Sequence, residues 1–242
     1  MYLKTKLQHQ YKMNPSLKRI ILDISDLQKE PIEGAHYYPC EENILKGEAL
    51  IFGPKNTPYE NGNYIFTFEF SQEYPFKPPV VLFKSNDGKT RFNPNFYRNE
   101  KVCLSLLNTW RGESWSACQS IRSILITLQM TMNENPLLNE PGVEFGKHSS
   151  CIRKYNQIIH YKNIEMNILR YISDNTTIPS QNEQIHNDIK KYFEEKKHDI
   201  MKEIQTQCES SQNKQIVALN IYSQMCVSLD YDELVNKMTN FV

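Results

Sequence analysis

The sequence predicts an α+β fold in which a helix comes first, an antiparallel four-stranded meander follows, and more helices complete the chain. Three observations support this prediction. Apolar residues recur at steps of three and four near the N-terminus, they alternate from about residue 32 to residue 83, and helical spacing returns after residue 120. Strands grouped before a run of helices are typical of the α+β class.

The length and charge of the chain limit what kind of protein it is. With 242 residues, it is long enough for one domain of about 150 residues and a substantial extension. Lys plus Arg and Asp plus Glu number 28 each. A balanced chain gives no reason to expect nucleic acid or an anionic membrane as a partner.

The six cysteines and the N-terminus predict the compartment. The cysteines are scattered, with no Cys-x-x-Cys pair and no clustered histidines, so neither a disulfide framework nor a zinc site is expected. The first residues contain no apolar signal core, and no run approaches the ~20 apolar residues of a membrane span. We therefore expect a protein of the reducing compartments, the cytoplasm or the nucleus.

The first predicted helix has clear ends. Asn14 is a good N-cap and Pro15 suits the first helical position, while Pro31 stops the helix. Its apolar face is formed by Leu17, Ile20, Ile24 and Leu27. Lys18 and Arg19 lie on the opposite face.

The meander is predicted from residues of period two. GEALIFGP and NYIFTFEFS resemble neighbouring strands, and Asn61-Gly62 before the second is a strong tight-turn signal. One face of the second strand would present Tyr64, Phe66, Phe68 and Phe70, and the other Ile65, Thr67 and Glu69. The prolines of YPFKPP predict a rigid turn before a short strand at residues 80–83.

The rest of the chain is predicted as an irregular segment followed by helices. Residues 84–115 lack periodicity, and a long irregular segment inside a domain is usually functional. A helix follows, and beyond residue 150 three further apolar stripes indicate helices. Those stripes begin near Ile152, Ile185 and Ile216, the third running on through Leu219, Ser223, Cys226 and Leu229. Asp230 with Glu233 resembles the capping box of a last short helix.

These pieces, in this order, resemble the ubiquitin-conjugating enzymes. The matching motifs are SLKRIILDISDL, TPYENG with YIFTFEF, YPFKPP, FNPNFYRNEKVCLSLL and a Trp-led helix starting at Trp115. Within the family, RFNPNFY, KVCLSLLNTW and NEPG look like the conjugating domain of large hybrid conjugase–ligases such as apollon. The resemblance implies a UBC fold with an N-terminal segment at 1–13, a core domain at 14–149 and a helical C-terminal extension at 150–242.

The resemblance makes Cys103 the catalytic nucleophile. Thioester chemistry needs a group that becomes a thiolate and later leaves, which serine does poorly. Taken alone, a lone cysteine between Val102 and Leu104 is more often a small buried apolar residue. Its place eight residues after Asn95 is where the family has its active cysteine.

Asn95 and Asn93 are the next two candidates. Asn95 matches the last residue of the family's His-Pro-Asn motif, whose carboxamide stabilises the oxyanion formed by attack on the thioester. Asn-Pro-Asn is also a common turn sequence, in which Asn95 would bond the backbone. Asn93 stands where the family usually has His, and the resemblance assigns that position mainly to holding the loop.

The acceptor amine presents a further requirement. A lysine with a pKa of about 10.4 is almost wholly protonated at pH 7, so attack needs a site that removes its proton. The family uses an acidic residue after the Trp-led helix. Within NPLLNEPG, Glu140 is the preferred candidate for this position and Asn139 is the alternative. The competing interpretation is that Glu140 is a plain solvated acid of the loop.

The remaining candidates concern regulation and partners. Ser105, two residues past the cysteine, matches a position that influences lysine attack, and its phosphorylation would add about −1.5 to −2 charges there. Lys18, Arg19 and Phe76 match family contacts with the activating enzyme and ligases, although Phe76 could equally belong to the core. Ala117 stands where the family usually has a proline after the Trp-Ser pair, and this difference argues against binding to ordinary RING-type ligases.

The resulting hypothesis is a transferase that takes ubiquitin or a relative from an activating enzyme onto Cys103 and passes it to lysine or to a ligase. No metal or nucleotide is implied on this chain, because the activating enzyme uses the ATP. The alternatives are a silent UBC-like protein that binds ubiquitin or scaffolds ligases, a conjugase for another modifier such as SUMO, and a chain that is conjugase and ligase at once. We expect the extension to be dispensable for charging but not for substrate choice.

Overall fold

The computed structural model describes residues 14–173, 178–210, 214–222 and 225–239. The predicted N-terminal segment at 1–13 and Ser223 of the predicted third stripe lie outside the described residues. The described part begins with helix α1, Pro15–Lys29. As predicted, the Asn14 side chain accepts a hydrogen bond from the Ser16 amide and Pro15 occupies the first turn. Ile20 is fully buried, so the predicted apolar face packs inward.

The predicted four-stranded meander is confirmed. It consists of β1 Ala35–Pro39, β2 Lys46–Phe52, β3 Asn63–Glu69 and β4 Val80–Phe83, antiparallel and in chain order. The Asn61-Gly62 turn leads into β3, with Asn61 in the left-handed region at φ 62°. Each strand therefore pairs with its sequence neighbour, as hairpin connections predict.

The alternation along β3 separates two faces of the sheet. Tyr64, Phe66 and Phe68 point to the inner face, where α1, the following helix and the irregular segment cover them. Ile65 points to the outer face and is also fully buried. Glu69, at the end of the strand, is exposed. The outer face is thus covered at one end only.

Helix α2 spans Ile121–Thr131 and begins later than the resemblance indicated. The expected start at Trp115 is wrong, because residues 115–120 form a turn and a Ser120 N-cap precedes the helix. Ser120 and Ser123 exchange side-chain to backbone hydrogen bonds in a capping box. The predicted stripe is correct, since Ile121, Ile124 and Leu128 are fully buried.

The first predicted helix of the extension belongs to the same core as the sheet. Helix α3, Ser149–Lys162, continues through a π-helical stretch, Asn163–Leu169, into the short α4, Arg170–Ile172. Tyr155 is fully buried in the cluster that contains the inner face of the sheet. The π-helical residue Asn163 accepts a 2.5 Å hydrogen bond from the Tyr64 hydroxyl.

Helix α5, Glu183–Ser210, confirms the second predicted stripe. Its first turns bring Ile185 and Ile189 against Leu50 and Ile65 on the outer face of the sheet. Its later residues Ile200 and Ile204 join the large core cluster instead.

The third predicted helical stripe is wrong. Strand β5 Gln215–Leu219 pairs antiparallel with β6 Met225–Leu229 as a hairpin, so the extension is not wholly helical. The buried residues alternate, as a half-buried strand requires, whereas Ile216 of the predicted stripe is 72% exposed. The chain then enters α6, Tyr231–Thr239, where Asp230 caps the Glu233 amide as predicted.

Among the described residues, no helix combines the length and the apolar character that crossing a membrane requires.

Candidate active site

The candidate site is a short hairpin in the irregular segment between β4 and α2. The Tyr97 amide donates to the Lys101 carbonyl at 2.9 Å, and the Cys103 amide donates to the Asn95 carbonyl at 2.8 Å. Phe96 pairs with Val102 between these two bonds. Since Phe96 and Val102 are buried in the core, the hairpin is anchored to the inner face of the sheet. This anchoring fixes the backbone on which Cys103 stands.

The Cys103 side chain lies under the loop that follows it. The residue is only 3% exposed, and its Sγ donates to the Thr109 carbonyl at 2.9 Å. Residues 105–107 form a 3₁₀ turn, and Asn108 closes it in the left-handed region at φ 56°. The thiol is therefore hydrogen-bonded as a donor, and this bond must open before the sulfur reacts as a thiolate.

Thr109 holds this loop in place and was not found from the sequence. Its hydroxyl donates toward the carbonyls of Val102 and Leu104 and accepts from the Leu104 amide at 2.9 Å. A threonine in an irregular segment carries no local signal for such a role, because all three contacts depend on how the loop returns to the cysteine.

Asn95 lies beside Cys103, as predicted. Its Nδ2 donates to the Cys103 carbonyl at 2.8 Å, while its Oδ1 is buried and has no hydrogen-bond partner among the described residues. A carboxamide nitrogen carries two hydrogens, and the bond to Cys103 uses one of them. The second takes no part in that bond, and the oxyanion role of Asn95 stays a prediction.

Asn93 is fully buried and ties three elements together. Its Nδ2 donates to the Tyr59 hydroxyl at 2.9 Å and to the Thr131 carbonyl of α2 at 2.8 Å. Its Oδ1 accepts from the Asn95 amide at 2.9 Å. Asn93 therefore holds the Asn95 backbone in place, which fits the loop-holding role that the resemblance assigned to this position.

Ser105 begins the 3₁₀ turn over the cysteine and is half-buried. Gly112, at φ 135°, comes so close that a Cβ added to it would meet the Ser105 Cβ at 3.0 Å. A modification of the Ser105 hydroxyl would be crowded against this glycine. The regulatory role of Ser105 stays a prediction.

Glu140 ends a 3₁₀ turn, Pro136–Asn139, and its carboxylate has a partner that the sequence did not indicate. Its Oε2 accepts from the Tyr222 hydroxyl of the C-terminal hairpin at 2.6 Å. Burial, and then the bond to Glu140, raise the pKa of Tyr222 far above its usual value. Asn139, the alternative candidate, instead donates to the Thr131 carbonyl and accepts from Asn133. Proton removal by Glu140 stays a prediction.

The predicted partner residues of α1 differ from one another. Lys18 is exposed. Arg19 is half-buried and binds Asp23 at 2.8 Å, the Ala117 carbonyl at 2.7 Å and the Gln119 carbonyl. The Arg19 guanidinium therefore joins α1 to the turn before α2, and Lys18 is the freer of the two cations for contact with a partner.

Phe76 and Trp115 lie at the rigid turn after β3. Phe76 is 77% exposed, so it does not belong to the core, and an exposed phenylalanine on a fixed turn suits an interface. Trp115 is 8% exposed and donates its indole N–H to the Pro75 carbonyl at 2.6 Å. Trp115 thus supports the turn that presents Phe76.

A buried cysteine on an anchored hairpin, with an asparagine amide bonded to its carbonyl and a helix–meander–helix scaffold beneath, is the arrangement that the sequence motifs predict for a cysteine transferase. The comparison with known families agrees: the model described as "Ubiquitin-conjugating enzyme" matches residues 19–163, more than half of the chain. The chain belongs to the ubiquitin-conjugating enzyme family.

Individual relatives extend the comparison. The chain is 42% identical to ubiquitin-conjugating enzyme E2 Z of Xenopus tropicalis over 167 residues, 69% of this chain and 53% of that protein. It is 46% identical to E2 Z of Homo sapiens over 151 residues, 62% of this chain and 43% of that protein. It is 37% identical to the Homo sapiens dual E2 ubiquitin-conjugating enzyme/E3 ubiquitin-protein ligase BIRC6 over 183 residues, 70% of this chain and 4% of that protein.

The chain therefore spans about half the length of the E2 Z proteins it matches. The match to BIRC6 agrees with the resemblance to hybrid conjugase–ligases that the sequence motifs indicated. Within the residues that the structure describes, no group of three or more His, Cys, Asp or Glu side chains is arranged to hold a metal ion.

Proposed function

We propose that this protein accepts ubiquitin or a ubiquitin-like modifier as a thioester on Cys103 and transfers it to a lysine amine or to a ligase. The observation that supports this most directly is the position of Asn95, whose Nδ2 donates one N–H to the Cys103 carbonyl and has a second N–H that this bond does not use. Membership of the ubiquitin-conjugating enzyme family supports the same reaction.

In the charging step, the Cys103 thiolate attacks the carbonyl carbon of the modifier's thioester on the activating enzyme. A new S–C bond forms, the old one breaks, and the activating enzyme's thiolate leaves. Because the Cys103 Sγ donates to the Thr109 carbonyl in the resting structure, the loop at 105–109 must shift as the modifier arrives. This opening is local, since the loop backbone has few bonds besides those of Thr109 and Asn108.

In the transfer step, a neutral lysine amine attacks the Cys103 thioester and its carbonyl oxygen becomes an oxyanion. The free N–H of Asn95 stabilises that charge, and the Cys103 thiolate leaves as the amide forms. The lysine must first lose a proton, for which Glu140 is the proposed acceptor. Asn93 acts on both steps indirectly, by holding the Asn95 backbone.

The same proposal includes the binding partners of the protein and its domain boundaries. The activating enzyme would meet Lys18 on α1, a ligase would meet the exposed Phe76, and the modifier itself would lie over Cys103. The predicted core at 14–149 would contain the catalytic residues but would need α3 of the extension in order to fold, and the extension would influence substrate choice. A reducing compartment, the cytoplasm or nucleus, would keep the thiol free.

The test is ATP-dependent charging with a purified activating enzyme, analysed on reducing and non-reducing gels. The intact protein should gain one modifier that reducing agent removes. Cys103→Ser should give an oxyester that survives reducing agent, because oxygen replaces sulfur in the same linkage, and Cys103→Ala should give nothing. Cys118→Ala, at an exposed free cysteine, is the matched control and should charge normally. Charging of Cys103→Ala would overturn the nucleophile assignment.

Asn95 is tested in the discharge step. Asn95→Asp keeps the shape and acceptor oxygens but removes the N–H donors, so discharge to lysine should slow by on the order of 10²-fold while charging continues. Transfer at the normal rate from a charged Asn95→Asp would remove Asn95 from the mechanism. A panel of ubiquitin, SUMO and other modifiers identifies the cargo. Failure with all of them would favour the silent, ubiquitin-binding alternative.

A further inference from the structure

The hairpin of the extension contacts the proposed proton acceptor through one side chain. Tyr222 lies between β5 and β6, and its hydroxyl donates to Glu140 Oε2 at 2.6 Å. Among the described residues, this is the one hydrogen bond of the half-buried Glu140 carboxylate. Tyr222 lies beyond residue 163, where the family match ends, so the family motifs do not account for its contact with Glu140.

Tyr222 is fixed on the side of the core. Its carbonyl accepts from the Met225 amide at 3.0 Å, which closes the turn of the hairpin. Its ring packs against the fully buried Tyr155 of α3, with 6.0 Å between the ring centres. The Arg91 guanidinium lies 5.6 Å from the centre of the same ring. A side chain that is already ordered in this way loses little further freedom when it orients a partner.

The loop that ends at Glu140 is joined to the asparagines of the candidate site. Asn139, the residue before Glu140, donates to the Thr131 carbonyl at 3.0 Å. Asn93 donates to the same carbonyl at 2.8 Å and accepts from the amide of Asn95, whose side chain bonds the carbonyl of the nucleophile. One carbonyl at the end of α2 therefore connects the Glu140 loop to the groups beside the reacting sulfur.

The Tyr222 hydroxyl keeps its proton. Burial raises the pKa of Tyr222 far above its usual value, and the bond to the Glu140 carboxylate raises this pKa further. The phenol therefore donates to the carboxylate at physiological pH and takes no proton from a substrate. Because the phenol occupies Oε2, the other carboxylate oxygen, Oε1, has no hydrogen-bond partner within the described ranges and can accept a proton.

We propose that Tyr222 is a positioning residue for transfer, which fixes the Glu140 carboxylate so that Oε1 takes a proton from the acceptor lysine. This inference rests on the proposed transferase function. The lysine ammonium gives one proton to Oε1, which releases it to water, and the neutral amine attacks the Cys103 thioester carbonyl. As the C–N bond forms and the C–S bond breaks, the second amine proton passes to solvent and the electron pair leaves on sulfur. The extension thereby acts on the transfer chemistry itself.

The experiment measures single-turnover discharge of the Cys103 thioester to two amines. Lysine must lose a proton before it attacks, whereas hydroxylamine is already neutral at neutral pH and needs no base. Tyr222→Phe removes only the hydroxyl. It should slow discharge to lysine about tenfold, which is part of the roughly 10²–10⁴-fold that a general base contributes. Charging of Cys103 and discharge to hydroxylamine should stay unchanged.

Three further variants test the connection to Glu140. Glu140→Asp keeps the carboxylate but shortens the side chain by one methylene, so it should lose the bond to Tyr222 and slow discharge to lysine alone. In Glu140→Gln, which has no base, adding Tyr222→Phe should slow discharge by less than about twofold more. Tyr231→Phe is the matched control, since it removes another buried hydroxyl of the extension, bonded to His160, and should discharge normally.

The outcomes separate the two proposals. A protein that never charges would contradict the proposed function and this inference with it. A charged Tyr222→Phe that discharges to lysine at the intact rate would overturn the inference alone. Equal slowing toward lysine and hydroxylamine would also overturn it, because a distorted site affects every nucleophile. The same holds if Tyr222→Phe slows the Glu140→Gln protein by another tenfold, or if Tyr231→Phe slows discharge to lysine as much as Tyr222→Phe does.

Discussion

The two faces of the four-stranded sheet are covered in different ways. The inner face is aromatic, with Tyr64, Phe66 and Phe83 packed against elements that the family shares. The outer face is covered by α4 and the start of α5, through Tyr171, Ile185 and related residues. All of α4 and α5 lies beyond residue 163, where the family match ends. The inner layer thus belongs to the family fold and the outer layer to this chain's extension.

The polar contacts differ in the same way. On the outer face, the Tyr38 hydroxyl donates to Asp188 at 2.6 Å and the Ser180 hydroxyl donates to Glu48 at 2.6 Å, both at the rim. On the inner face, the polar groups are inside the core, as in the bond from Tyr64 to Asn163. The outer face also has one buried bond, from the Tyr171 hydroxyl to Ser85 at 2.8 Å, but its bonds to Asp188 and Ser180 are part-buried, as at the rim of a docked layer.

The largest expected effect comes from cutting the chain at two places. A chain that ends at residue 149 loses α3 and leaves Tyr64 and the sheet core open, so we expect it to be unfolded or insoluble. A chain that ends at residue 173 keeps α3 and α4 and loses α5, the C-terminal hairpin and α6. It should fold with a lower Tm and should still charge on Cys103.

Circular dichroism and thermal melts measure the difference between the two truncated chains, and the intact chain is the control. A folded, chargeable 1–149 chain would support the boundary predicted from the sequence and would show that α3 is dispensable. An unfolded 1–173 chain would show that the two layers are one cooperative unit.

A pair of neighbouring substitutions in β3 compares the faces directly. Phe66→Ala on the inner face should cost about 3–5 kcal/mol of unfolding free energy, and Ile65→Ala on the outer face about 2–4 kcal/mol, since both side chains are fully buried. The helices that lose protection from hydrogen exchange should differ between the two variants. Native-state hydrogen exchange should show α2 and α5 losing protection together in Phe66→Ala, but mainly α5 in Ile65→Ala.

Glu69→Ala, at the exposed end of the same strand, is the matched control and should stay within about 0.5 kcal/mol. Equal loss of protection in α2 for both core variants would contradict the description of two layers.

The smallest expected effect is a loss of folding stability at alkaline pH. Burial raises the pKa of Tyr171, on the outer face, to about 12, above its unfolded value of about 10. The folded protein therefore holds this proton more tightly, and the stabilisation, complete below pH 10, is lost as the pH rises to 12. The loss amounts to at most about 3 kcal/mol.

Tyr171→Phe should remove this part of the alkaline decline, while at pH 7 it forfeits only the hydroxyl's 2.8 Å bond to Ser85. Urea titrations of both proteins from pH 7 to 11.5 give the difference, with the inner-face tyrosines common to both. An unchanged slope would show that Tyr171 is already exposed when the alkaline transition begins, and thus that the outer layer opens first.

Much of the fold and of the site was predictable because the signals are local. Asn14 and Pro15 specify a helix start, alternation and Asn-Gly specify the hairpins, and the spacing from Asn95 to Cys103 matches a short antiparallel ladder. The exposure of Phe76 was left open, since apolar character alone does not say which side of a turn faces the core.

The third stripe of the extension shows where periodicity fails. Residues 216, 219, 226 and 229 fit a helical spacing, yet 217, 219, 225 and 229 fit a strand equally well, and the structure buries the second set. Over so short an apolar run, the two periods are ambiguous, and the packing of β5 against α3 decides between them.

By itself, the sequence determined the N-terminal helix, the four-stranded meander, the helical periodicity of α5 and the nucleophile candidate, because each depends on residues close together in the chain. The tertiary structure decided the hairpin of the extension, the burial of Ile65, the internal role of Arg19 and the bond between Tyr222 and Glu140. Each of these depends on a partner that lies dozens of residues away or more, and no local pattern records which distant surface a side chain meets.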